Sequence, residues 1–191
     1  MRFLLLLLAL LLGACPPTLG DDDDSGNGDD DDATAEPCTG VAPLESVCIE
    51  VAPAYSFTLD EAAAGIEIPY TVVVSDAVAN VQPQPQDAGT CGQPDASGLI
   101  LFERLSGGDE TYCICDRGEC AGIPVNVTLT PGEHAHTFAW TGRNWFGPSD
   151  TGNPLGDPFP AGDYTLRVSA VGAVDGAGFT VEATTTITLT P

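Results

Sequence analysis

From residue 38 onward the sequence predicts an all-β fold, an antiparallel β-sandwich, and three observations predict it. Apolar residues recur with a period of two, Gly and Pro separate the apolar runs, and only 60–64 offers a helical window. About eight short strands within residues 38–191 suit two packed layers with Greek-key connections.

The first strands expected are Val47–Val51 and 55–59, followed by the short helical window. Ile66, Ile68, Tyr70, Val72 and Val74 then line one face of a strand, because alternate residues point to the same side. A shorter candidate covers 99–105. Val125, Val127 and Leu129 repeat the alternation, and Pro131-Gly132 is expected to turn 125–130 into 134–140 as a β-hairpin. Tyr164, Leu166, Val168 and Ala170 mark the next strand. The last is the clearest: Phe179, Val181, Ala183, Ile187 and Leu189 share one face, and Thr180, Glu182, Thr184, Thr186, Thr188 and Thr190 share the other.

Charge excludes one class of partner. The 191 residues carry 28 Asp+Glu against five Lys+Arg, all of them Arg, for a net charge of −23. Binding a phosphate backbone needs a dense positive patch, so no nucleic-acid partner is expected.

The first residues read as an address. Met1-Arg2-Phe3 precedes an apolar run from Leu4 to Leu12, the n-region and h-region of a secretory signal over residues 1–14. Nine residues of helix reach only about 14 Å, short of a hydrocarbon core of about 30 Å. Leu12-Gly13-Ala14-Cys15 resembles the bacterial lipobox, which implies a mature chain beginning at a lipidated Cys15, with acyl chains as the membrane partner. Positions 21–32 hold eight Asp in twelve residues and nothing apolar to collapse, so a disordered, extended tether is expected over residues 15–37. That run lacks the ligand spacing of an EF-hand loop. Setting aside its eight Asp and Glu36 leaves 19 acids against four Arg in residues 38–191.

Six further cysteines, Cys38, Cys48, Cys91, Cys113, Cys115 and Cys120, read in an exported domain as three disulfides of open connectivity. Cys38 with Cys48 is the most favourable local pair. Cys113 with Cys115 is the least, since alternate strand residues are too far apart for an unstrained bond. A metal site from Cys113, Cys115 and Cys120 with His134 and His136 is the sharper alternative, but the Cys-x-x-Cys pairs of zinc knuckles are missing.

Chemistry finds little to work with. No G-x-S-x-G elbow, H-E-x-x-H or P-loop occurs, so no catalytic residue, metal or cofactor is assigned. The two histidines, His134 and His136, fall on one strand face with Phe138 and Trp140. A two-histidine metal edge there would need a third ligand such as Asp150 or Asp163; a structural role beside the Pro131-Gly132 turn is expected instead. The connection 142–162 has no periodicity and presents Arg143, Asn144, Trp145, Phe146 and Phe159. Those residue types anchor protein interfaces or stack on sugar rings, making this the candidate binding loop for a protein or glycan partner. A second, charged turn lies at 116–119.

The C-terminal third carries a pattern. Phe138-Ala139-Trp140-Thr141-Gly142, Gly147-Pro148 and Pro160-Ala161-Gly162-Asp163-Tyr164 resemble the W-x-G … P-x-G-x-Y signature of bacterial immunoglobulin-like domains. The flagellar hook-capping Ig-like module and the BsuPI proteinase-inhibitor domain are the relatives in view. The resemblance covers about residues 125–191 and implies an immunoglobulin-like sandwich. Trp140 would then fill the core, Gly142 would let the chain leave the strand, and the Tyr164 hydroxyl would tie back to the connection as a tyrosine corner. Neither relative has the acyl anchor, the six cysteines or a match to 38–120. The expected role is a non-enzymatic binding or structural module, a lipoprotein of the bacterial envelope at the outer membrane. The BsuPI resemblance implies proteinase inhibition as the alternative, and a metal-binding envelope protein is a further one.

Overall fold

The alternation over 66–74, 164–170 and 179–189 lies in strands, whereas the strand expected at 125–130 does not form over 126–130, where Val127 makes only an isolated bridge to Val81. The computed structural model of the chain describes residues 39–84, 94–107, 110–113, 126–145 and 155–191, with 84, 110–113 and 145 as backbone alone. All of these fall within the unit Glu36–Pro191. In chain order they form β1 (Val47–Val51), β2 (Ala54–Thr58), α1 (Leu59–Ala64), β3 (Ile66–Val74), β4 (Val81–Gln84), β5 (Phe102–Gly107), β6 (Glu110–Cys113), β7 (Gly132–Trp140), β8 (Arg143–Trp145), β9 (Leu155–Pro158), β10 (Gly162–Val174) and β11 (Ala177–Thr190).

Three sheets result: β1-β3-β7; β2-β11-β10-β5-β6, with β4 also on β10; and the pair β8-β9. Every pairing is antiparallel except that of β2 with β11. Consecutive strands β1 and β2 thus belong to different sheets, and the Pro53 carbonyl between them accepts from Thr186 N at 3.2 Å.

One apolar core lies between the two larger sheets. Ile68, Val72 and Phe138 of the first and Leu166, Val168 and Ile187 of the second are at most 1% exposed, all in a single cluster. Burying a side chain of this size contributes about 1.5–3 kcal/mol. The expected inner rows of β3, β10 and β11 are buried, except that Ala183 of β11 is half-buried, and Thr185 joins the inner face of β11 at 2% exposure. The β10–β11 hairpin turns through Asp175 (φ 48°) and Gly176 (φ 85°), the double positive φ of a type I′ turn.

The helical window is real and short. Thr58 Oγ1 accepts from Glu61 N at 3.2 Å while Glu61 Oε2 accepts from Thr58 N at 2.7 Å, a capping box that starts α1. Gly65 (φ 104°) ends it.

Two expectations about connections are corrected. The hairpin between 125–130 and 134–140 does not form; residue 125 lies outside the described residues, and β7 pairs with β3 over nine positions instead. That register sets Ile66 opposite Trp140 and Ile68 opposite Phe138, aligning the buried rows of the two strands on the core. The backbone groups of 127–130 go to two other segments, 78–81 and the one holding Ser97: Val127 exchanges hydrogen bonds with Val81, Leu129 N donates to Val78 O, and Thr130 N donates to Ser97 O. In addition, 142–162 is not free of structure, because β8 and β9 pair within it, Arg143 opposite Pro158 and Trp145 opposite Leu155.

Candidate functional site

The candidate loop grows from the end of the core. At the last residue of β7, Trp140 is 4% exposed and meets Phe159 (centroids 5.1 Å apart) and Tyr164 (6.1 Å), with Phe159 and Tyr164 also 5.1 Å apart. Gly142 then turns the chain with φ 65°, so close to α1 that a Cβ there would lie 2.9 Å from the Ala62 Cβ. The Tyr164 hydroxyl donates to the Pro160 carbonyl at 2.6 Å, the tie expected of a tyrosine corner. Burial holds that phenol above its ordinary range.

On this base stands the β8–β9 hairpin. Trp140 Nε1 donates to the Arg143 carbonyl at 3.1 Å, Phe159 N to the Gly142 carbonyl at 2.8 Å, and Arg143 Nε to the Gly156 carbonyl at 2.9 Å. Arg143 is exposed and Asn144 half-buried. Leu155 is 41% exposed, one of two exposed large apolar side chains among the described residues, the other being Val41. Phe159 corrects the expectation that placed it among the binding residues. It is 6% exposed, because a phenyl ring gains more by filling the gap between Trp140 and Tyr164 than by facing water. Phe146 lies outside the described residues, and Trp145 is described by its backbone position alone.

The histidines go separate ways. His134 Nε2 lies 2.9 Å from the Thr130 carbonyl, whereas His136 Nε2 lies 2.8 Å from Asp95 Oδ2. Asp163, offered above as a third ligand, accepts instead from Thr188 Oγ1 at 2.7 Å, and Asp150 is outside the described residues. Among the described residues no group of three His, Cys, Asp or Glu side chains could hold a metal.

His136 belongs to a polar cluster that the sequence reading missed. Its ring stacks on Tyr70 at 5.2 Å with 17° between planes, and the Tyr70 hydroxyl donates to Glu103 Oε1 at 2.9 Å. Burial, then the neighbouring Glu103 carboxylate, pushes the Tyr70 phenol far above its ordinary value. His136 Nε2 and Asp95 Oδ2 approach closely without hydrogen-bond alignment, and both atoms are shut off from solvent. Ser97 Oγ donates to Asp95 Oδ1 at 2.5 Å. The order is serine, aspartate, histidine, so the imidazole does not reach the hydroxyl as a general base must. Asp95-Ala96-Ser97-Gly98 is a legible turn signal, yet nothing in it names His136, 41 positions on, as the partner.

Of the cysteines, Cys48 is disulfide-bonded and 8% exposed in β1, and its bonding partner is not among the described side chains. Cys113 ends β6, opposite Arg104, and Cys15, Cys38, Cys91, Cys115 and Cys120 lie outside the described residues, as does the turn 116–119.

The chain matches no protein-family model and no curated protein sequence. Among solved structures it is similar to the CooA pilin subunit from enterotoxigenic Escherichia coli, at 14% identity and a TM-score of 0.31, covering 76% of this chain and 97% of that one. A superposition that loose carries no inference about role.

Proposed function

We propose that the chain is a lipid-anchored lipoprotein of the bacterial envelope, held at the outer membrane through Cys15, that serves as a non-enzymatic binding or structural module. Its folded part is read as an immunoglobulin-like domain. Supporting that reading, β1, β3 and β7 stand in the order A-B-E, and β11, β10, β5 and β6 in the order G-F-C-C′, with the tyrosine corner at the start of β10, the F position. The cysteines beyond Cys15 are read as three disulfides suited to an oxidising compartment.

A single observation carries the binding role: β8 and β9 form a sheet of their own, outside both core sheets, with Arg143 exposed and Leu155 at its edge. An arginine beside an exposed leucine on a braced hairpin is suited to anchor a protein or glycan. Two substitutions in the full chain test the two halves of the proposal. Cys15→Ser should move the protein from the membrane fraction to the soluble one; continued membrane association would remove the lipid anchor. Replacing Arg143 and Leu155 by Ser should abolish retention of the purified chain on partner-bearing cell surfaces, at unchanged thermal midpoint, and unchanged retention would remove the hairpin from the role.

A further inference from the structure

Between β7, at the edge of the three-stranded sheet, and β5 of the larger one, the side of the sandwich is crossed by residues 94–101. This segment is organised by one carboxylate. Asp95 Oδ1 accepts from Ser97 N (2.9 Å), Ser97 Oγ (2.5 Å), Gly98 N (3.1 Å) and Leu99 N (3.2 Å). The Ser97 carbonyl accepts from Thr130 N at 2.9 Å, and Leu99 is wholly buried. With Oδ1 saturated, Oδ2 is left facing His136 Nε2 at 2.8 Å.

We propose that residues 94–101 are a proton-gated strap, closed when His136 is charged and paired with Asp95 and loosened when it is neutral. The geometry favours the charged form as the partner. A neutral imidazole needs an aligned N–H to gain from the contact, and the alignment is missing. An imidazolium attracts the carboxylate at this distance without it, and its stacking on Tyr70 becomes a cation–π contact. The side chains concerned are only 22% and 14% exposed, so solvent screens the pair weakly.

Other ionisable groups around the ring act in the same direction. From β3 comes Tyr70, protonated and hydrogen-bonded; from β5 comes Glu103, a second carboxylate beyond the phenol ring. On β7 itself, His134 turns to the Thr130 carbonyl and Glu133 faces solvent. Protonation of the imidazole therefore favours closure, and loss of the proton favours opening. What opens is the side of the core over Leu99 and Leu129, both fully buried when the strap is closed.

Hydrogen exchange of the full chain tests this, comparing protection factors at about pH 5.5 and about pH 8, the span over which histidine changes charge. Amides 95–101 should gain about tenfold in protection at the lower pH relative to β10 and β11, as a charge-assisted contact implies. His136→Gln should abolish that difference. Asp95→Asn keeps the acceptor for the turn but removes the charge that attracts the imidazolium, so it too should lose the gain at the lower pH. A wild-type chain without the difference, or a His136→Gln chain that keeps it, would overturn the proposal; should His136→Gln fail to fold, an Asp95→Asn chain that behaves as wild type overturns it equally.

Discussion

The Tyr70 hydroxyl reaches from β3 to donate to Glu103 Oε1 on β5 at 2.9 Å, so one hydrogen bond spans the interior from sheet to sheet. Tyr70→Phe should therefore cost about 1–3 kcal/mol, because it takes a donor from a half-buried carboxylate while leaving the packing almost unchanged. The urea midpoint reads this directly, and an unchanged midpoint would show the hydroxyl to be idle.

The same phenol makes an alkaline prediction. Its ionisation is pushed upward by burial and by Glu103, relative to about 10 in an unfolded chain. The stability that follows is fully present below that unfolded value and is lost as the pH climbs toward the folded one. Absorbance at the tyrosinate band should thus show Tyr70 untitrated until the chain unfolds, with Tyr164 also titrating late, and Tyr70→Phe should reduce that late step by one tyrosine.

Gly142 and Ala62 are too close for a second methyl. Gly142→Ala meets both a left-handed backbone at φ 65° and a contact of 2.9 Å, so the thermal midpoint should fall by the equivalent of about 2–4 kcal/mol. Gly176→Asn, at φ 85° with nothing within 4 Å, is the contrasting case and should change stability little.

Phe159→Ala should cost about 3–5 kcal/mol by emptying the space between Trp140 and Tyr164, whereas Arg143→Ala on the exposed hairpin should cost under about 1 kcal/mol. Calorimetry on the two variants separates a core residue from a surface one. Equal losses would mean that the hairpin is part of the core.

Period-two patterning was enough to find β3, β10 and β11, since each buries one face more fully than the other. Trp140, Gly142 and Tyr164 were placed instead by the W-x-G … P-x-G-x-Y resemblance. Patterning could not choose the partner of β7, because a local hairpin and a distant antiparallel strand impose the same alternation. Nor could it tell Phe159, which is core, from the exposed Arg143, since a loop without a period carries no inside or outside. The His136 cluster was illegible for a different reason. Asp95 and Glu103 are two acids among 28, and only the folded chain brings them near the ring.

The parallel pairing of β2 with β11 has a mechanical consequence. Ala54 lies opposite Thr186 and Thr58 opposite Thr190, so the chain enters this pair at one end and leaves it at the other. A pull applied between the two ends of the folded part would load all five pairs in shear at once, where an antiparallel pair gripped at adjacent ends would unzip one bond at a time. The β2–β11 pair is thereby arranged to resist such a pull in shear, with β1 and its antiparallel pairing to β3 in the load path before it.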